Sequence, residues 1–106
     1  MSTTQRDAAN GHVGVRQDRT ESDPLTVRAL ARGLSILALF DIDHREWTID
    51  EIAVRTGLLR MTAYRMVRTL ESADFLVRDT TTNQYHLGPA AISMAYVAED
   101  YSDFVE

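Results

Sequence analysis

The sequence predicts a mainly α-helical fold with a small β-hairpin: a winged helix-turn-helix followed by a linker helix. Three observations predict it. Thr48-Ile49-Asp50-Glu51 has the form of a capping box, and Gly57 lies where the short helix opened by that box must stop. Ala63, Met66, Val67 and Leu70 then recur at helical spacing, which buries one stripe and leaves Met61, Tyr64, Arg65 and Arg68 outside. Residues 75–79 and 84–87 read as two short strands directly after that helix. Two helices across a tight glycine turn, with a hairpin next, form the winged helix-turn-helix layout.

The elements follow in chain order. Residues 1–24 are polar, with Val13 and Val15 the only large aliphatics after Met1, so they are expected to be a disordered tail that Asp23-Pro24 closes. A first helix is expected over residues 27–40, with Leu30, Leu34 and Leu37 recurring at helical spacing and Gly33, Ile36 and Phe40 alongside. Its start has two candidates, a cap at Thr26 or a later entry. Arg28 and Arg32 lie four apart on another face. Residues 41–46 make a polar connection. In the second helix, to about Thr56, Ile49, Ile52 and Ala53 point inward, and Leu58-Leu59 form the turn. The third helix spans about residues 60–73. In the loop at 80–83, Asn83 is the residue suited to positive φ. Gly88-Pro89 breaks the second strand. A fourth helix is expected over about residues 90–100, apolar almost all round, which calls for burial on more than one side. The expected organisation is therefore a tail (1–24), a winged helix-turn-helix domain (25–88) and a linker helix (89–106).

Composition narrows the function. The chain has 106 residues, 44% hydrophobic and 25% charged, which suits one small globular domain. It has no cysteine, so disulfides and thiolate metal sites are excluded. Its longest uncharged apolar stretch, residues 87–98, is too short for a bilayer, and residues 1–23 have no apolar signal core. A cytoplasmic, nucleoid-associated protein without a membrane partner is expected. The net charge is −5, unevenly spread: residues 89–106 carry four acids and no base, whereas residues 55–78 hold five arginines against Glu71 and Asp74. All eleven basic residues are arginine. A local basic face, rather than the overall sign, decides phosphate contact.

Other chemistries find little support. His12, His44 and His86 share no metal-ligand spacing, so no metal and no cofactor are expected. Asp41, Asp43 and Glu46 lack the glycine and terminal glutamate of a calcium loop and read as an acidic turn. There is no glycine-rich phosphate loop and no nucleophile elbow, and Ser35 and Ser93 fall within apolar helices, so no catalytic residue and no enzyme activity are expected. The third helix presents more than a solvated face. Met61 and Tyr64 are exposed by the same periodicity that buries Leu70, and carboxylates to pair with its arginines are scarce.

Residues 27–37 (VRALARGLSIL) resemble the first helix of IclR-type bacterial transcription regulators. TIDEIA at 48–53 with RTGL at 55–58 is similar to that family's second helix and turn, TAYRMVRTLE at 62–71 to its recognition helix, and YHLGP at 85–89 to its wing exit. The resemblance covers roughly residues 25–100, and the ordered set is more specific than any one element. It implies a dimer that binds a palindromic operator in double-stranded DNA. It also implies a small-molecule effector only where an effector-binding domain follows, and none lies within these residues. Leu59 stands where the family often has proline, and Met61 where a small hydroxyl residue is common.

On this reading Arg60, Met61, Thr62, Tyr64 and Arg65 face the major groove. Arg68, Thr48 and Arg32 hold phosphate, and Arg78, Thr81, Asn83 and Gln84 place the wing. A second chain docks through the first and fourth helices. Whether the protein represses or activates stays open. The competing expectation is a winged-helix protein-interaction module, favoured by the acidic C-terminal segment. Salt separates the two, because arginine–phosphate contacts weaken steeply with added salt.

Overall fold

A computed structural model describes residues 23–105. The disordered tail expected at residues 1–24 lies almost entirely outside the described residues. Helix α1 is Arg28–Leu37, α2 is Ile49–Thr56 and α3 is Arg60–Ser72; strands β1 (Leu76–Asp79) and β2 (Gln84–Leu87) follow, then α4 (Pro89–Val105). Two compact units emerge, one ending at Leu39 and one beginning at Phe40.

In the first unit, α1 starts at the later of its two candidate positions. Thr26 does not cap it. The Thr26 hydroxyl donates to the Asp23 carbonyl at 2.7 Å, and the Leu25 N–H donates to Asp23 Oδ1 at 2.9 Å, so Asp23 organises a turn and Val27 takes the N-cap. The helix also ends early, at Leu37, where the Leu39 N–H reaches back only three residues to Ile36 at 3.1 Å. Its buried face takes in Gly33 and Ile36, expected beside the leucine stripe, rather than that stripe itself. Ala31, Ser35 and Ile36 are buried, whereas Leu30 and Leu34 are 62% and 43% exposed. The two stripes are adjacent on the helix, one residue or about 100° apart. The buried Ser35 hydroxyl is satisfied by donating to the Ala31 carbonyl at 3.0 Å.

The second unit holds α2, α3 and the wing. The capping box at α2 is complete: the Glu51 N–H donates to Thr48 Oγ1 at 3.2 Å and the Thr48 N–H to Glu51 Oε1 at 2.9 Å. Gly57 ends the helix at φ 74°. Ile49, Ile52 and Ala53 of α2 meet the same core as Ala63 and Val67 of α3 and Leu76 of β1. Met66 and Leu70 are half-buried. Thr48→Ala is expected to lower stability by about 1 kcal/mol, measured by denaturant unfolding, because the Glu51 amide loses its acceptor.

Helix α3 stops in a Schellman motif with Asp74 at φ 67°, where the Phe75 N–H donates to Leu70 at 2.9 Å and the Asp74 N–H to Glu71 at 3.1 Å. Strands β1 and β2 pair antiparallel, Leu76 opposite Leu87 and Asp79 opposite Gln84. Asn83 turns the loop at φ 62°. Its N–H donates to the Asp79 carbonyl at 2.7 Å, and the Asp79 carboxylate accepts from Thr81 N–H at 2.9 Å. The sequence did not announce a third pairing. Trp47 and Tyr85 exchange backbone hydrogen bonds at 3.0 and 2.7 Å, adding a one-residue bridge beside β2. The buried Trp47 ring stacks on His44 with centroids 3.6 Å apart and meets the edge of Phe40 at 6.4 Å. The acidic turn before it is closed by Asp41 Oδ1, which accepts from the N–H groups of Asp43 and His44 at 3.0 and 2.8 Å.

Gly88 joins wing to linker. Its N–H donates to the Phe75 carbonyl at 2.8 Å, and the Ala90 N–H donates to the Asp74 carbonyl at 2.9 Å. Helix α4 then runs longer than expected, from Pro89, whose fixed φ suits a first helical position. Among the described residues nothing supplies the burial expected for it: Ile92, Met94, Tyr96, Val97 and Tyr101 are all exposed, Tyr96 at 69%. Among the described residues, no helix is long and apolar enough to cross a membrane.

Candidate nucleic-acid interface

The N-terminus of α2, one flank of α3 and the wing enclose an open groove of about 800 Å³. On α3, residues 60, 64 and 68 follow one another at intervals of four, which places them on a single face above the groove. Arg60, Tyr64 and Arg68 line it from that helix, Thr48 from α2, and Arg78 and Asn83 from the wing. These are six of the twelve residues expected from sequence. Met61 and Arg65 lie one residue further round α3, exposed on its forward side. Thr62 is half-buried, Thr81 is exposed at the wing tip and Gln84 is half-buried in β2; none of the three lines the groove. Arg32, half-buried on α1, belongs to the other unit.

Each arginine in the groove is held by a neighbour. Arg60 Nε donates to Asp50 Oδ1 at 2.6 Å in an ion pair. Arg68 Nη1 donates to the Tyr64 hydroxyl at 3.1 Å, with its guanidinium carbon 5.8 Å from the Tyr64 ring centre. Arg78 Nη1 donates to Asn83 Oδ1 at 2.9 Å. Among the described residues Arg65 has no such partner, which leaves all five of its N–H donors for a ligand. Thr48 has its N–H and one hydroxyl lone pair engaged in the cap and retains its hydroxyl proton to donate.

Electrostatics follow from these contacts. The hydrogen bond that Arg68 donates to the Tyr64 hydroxyl raises the guanidinium above even its ordinary high pKa. Burial pushes the Tyr85 phenol up, and the Glu71 carboxylate adds to the shift, so Tyr85 is a neutral group in the floor of the groove. Three arginines against Asp50 and Glu71 leave the groove with one net positive charge. Asp50, Glu71, Ser72, Thr82 and Tyr85 line it without having been expected there. Ser72 continues the interval of four from Arg68, a signal readable in the sequence. The position of Asp50 depends on how α2 crosses α3, which is not.

The comparisons with known proteins agree on one family. Residues 29–80 match the IclR helix-turn-helix domain. The transcriptional repressor AllR of Klebsiella pneumoniae is 31% identical over 72 residues, which are 66% of this chain and 26% of that protein. The p-hydroxybenzoate hydroxylase transcriptional activator of Acinetobacter baylyi is 36% identical over 53 residues, 50% of this chain and 20% of that protein. The match thus spans about a quarter of the length of these curated relatives. An IclR family regulator from Brucella abortus superposes with a TM-score of 0.67 at 34% identity, over 73% of this chain and 30% of that one. A second, from Alicyclobacillus acidocaldarius, gives 0.66 at 35% identity, over 72% and 31%. These relatives are transcription regulators rather than enzymes. Residues 29–80 of this chain are thus an IclR helix-turn-helix domain, the part it shares with these transcription regulators.

Proposed function

We propose that this chain binds double-stranded operator DNA as a homodimer and so regulates transcription in the cytoplasm. The observation that carries the reading is the convergence of Arg60, Arg68 and Arg78 from two elements on one groove, with Met61 and Arg65 exposed beside it. Phosphates take Arg68 and, at the wing, Arg78, and base edges take Arg60 with the neighbouring exposed side of α3. Met61 suits the thymine methyl. The dimer reading is supported by the exposed Leu30 and Leu34 on α1 and by the apolar residues left uncovered on α4. A second copy covers both helices, and an effector acts only through a further domain. The matched relatives include a repressor and an activator, so the shared domain does not by itself set the direction of regulation.

Selection from a random duplex library at low salt tests the reading. The expected pool contains an inverted repeat with half-sites about 10 bp apart, or a multiple of it. A pool without enrichment overturns sequence-specific binding and leaves the docking-module alternative.

A further inference from the structure

The geometry points to Asp50 as a positioning residue that turns Arg60 from a phosphate clamp into a reader of one base, most simply guanine. The inference rests on the DNA-binding reading above and deepens it.

Arg60 opens α3, and Asp50 lies in the first turn of α2, ten positions earlier in the chain. Their contact, Nε to Oδ1 at 2.6 Å, joins side chains that are 66% and 75% exposed. An exposed pair of this kind adds little to stability, so folding alone does not account for it. The other carboxylate of that turn, Glu51, is consumed by the cap on Thr48. Asp50 takes no part in the cap, and among the described residues its carboxylate has Arg60 as its partner.

The three groove arginines differ in one respect. Arg68 and Arg78 are hydrogen-bonded to neutral acceptors, a phenol and an amide oxygen, and the carboxylate near Arg68, Glu71, acts on it without being its hydrogen-bond partner. Arg60 is held by a carboxylate. A compensated guanidinium gains less from a phosphate, and the adjacent Asp50 repels that phosphate outright. Neutral acceptors on a base edge carry no such penalty. With Nε occupied, the two terminal nitrogens still present a parallel pair of donors, which matches guanine O6 and N7. Asp50 also restricts the rotamers of a long side chain before DNA arrives, which lowers the entropic cost of that contact.

The same library selection, run on the 106-residue chain and on Asp50→Ala and Asp50→Asn, tests this. For Asp50→Ala, preference at one half-site position is expected to flatten about fivefold or more, while binding to unrelated duplex rises. The slope of log K against log salt is expected to steepen by about one unit as Arg60 turns to phosphate. Asp50→Asn keeps an acceptor without the charge. It is expected to raise unspecific binding as alanine does, yet to retain part of the base preference. An unchanged preference and slope in Asp50→Ala overturns the inference while the DNA-binding reading stands. So does a uniform loss across all sequences, or a large fall in melting temperature, either of which makes Asp50 a support for the fold. No enrichment by the unaltered chain overturns both. Without DNA, faster solvent exchange of the Arg60 Nε–H is expected in Asp50→Ala, and equal exchange overturns the pairing itself.

Discussion

Gly88→Ala is expected to destabilise the second unit by about 2–3 kcal/mol, the upper part of the range for forcing atoms into a packed site. A β-carbon at this position falls 2.6 Å from the Asp74 carbonyl oxygen and 3.2 Å from the carbonyl carbons of Asp74 and Phe75. All three atoms are backbone, so no side chain can swing aside. The two segments must separate, and that strains both bonds that cross between them, Gly88 N–H to Phe75 and Ala90 N–H to Asp74. At Gly57, by contrast, an added β-carbon meets nothing within 4 Å, and only the φ of 74° resists substitution. For a domain of this size the loss corresponds to a melting temperature lower by about 10–20 °C. Thermal unfolding followed by circular dichroism reads it. A change within 2 °C, as an order-of-magnitude bound from the same relation, means that the wing exit adjusts freely.

Arg65→Ala carries the largest expected effect on recognition. Arg65 is exposed on the forward side of α3, and no described neighbour competes for its donors. If it reads a base edge, the loss is about 1–3 kcal/mol at one position of the half-site, with relaxed specificity there and little change elsewhere. If it holds a phosphate, affinity falls equally for every sequence and the salt slope drops by about one. Competition binding with the selected site and with single-base variants of it distinguishes the two. An affinity unchanged for all duplexes removes Arg65 from the interface altogether.

The sequence disclosed the helix-turn-helix well, because its signals are local. The Thr48–Glu51 box, Gly57 and the Ala63–Val67 stripe each act within one or two turns of chain, and each has a direct physical cause. The face of α1 was legible only in part: Gly33 and Ile36, named beside the leucines, are buried, and Ala31 and Ser35 join them unannounced. Period alone cannot choose between the Leu30–Leu34 stripe and the adjacent Ala31–Ser35 stripe when small residues can be buried. Trp47 escaped because a bridge of one residue has no period. Asp74 escaped because glycine is the usual signal for a left-handed helix end, and aspartate adopts that conformation less often. In the site, the arginines were legible as charges. Their partners were less so: the Arg60–Asp50 pair spans ten positions and depends on how two helices cross. Helix α4 was read as apolar almost all round, and its exposed Ile92, Met94, Tyr96, Val97 and Tyr101 leave open whether a partner chain or a second domain covers it.

The buried indole has a practical consequence. The chain has one tryptophan, so its fluorescence comes from a single place. That place lies against an imidazole, 3.6 Å away, and is fastened through its own backbone to Tyr85 in the wing. Emission therefore registers whether the hairpin is attached. A wing that peels away is expected to release the indole to water and shift the spectrum to the red, with no label added to the surface proposed to meet DNA.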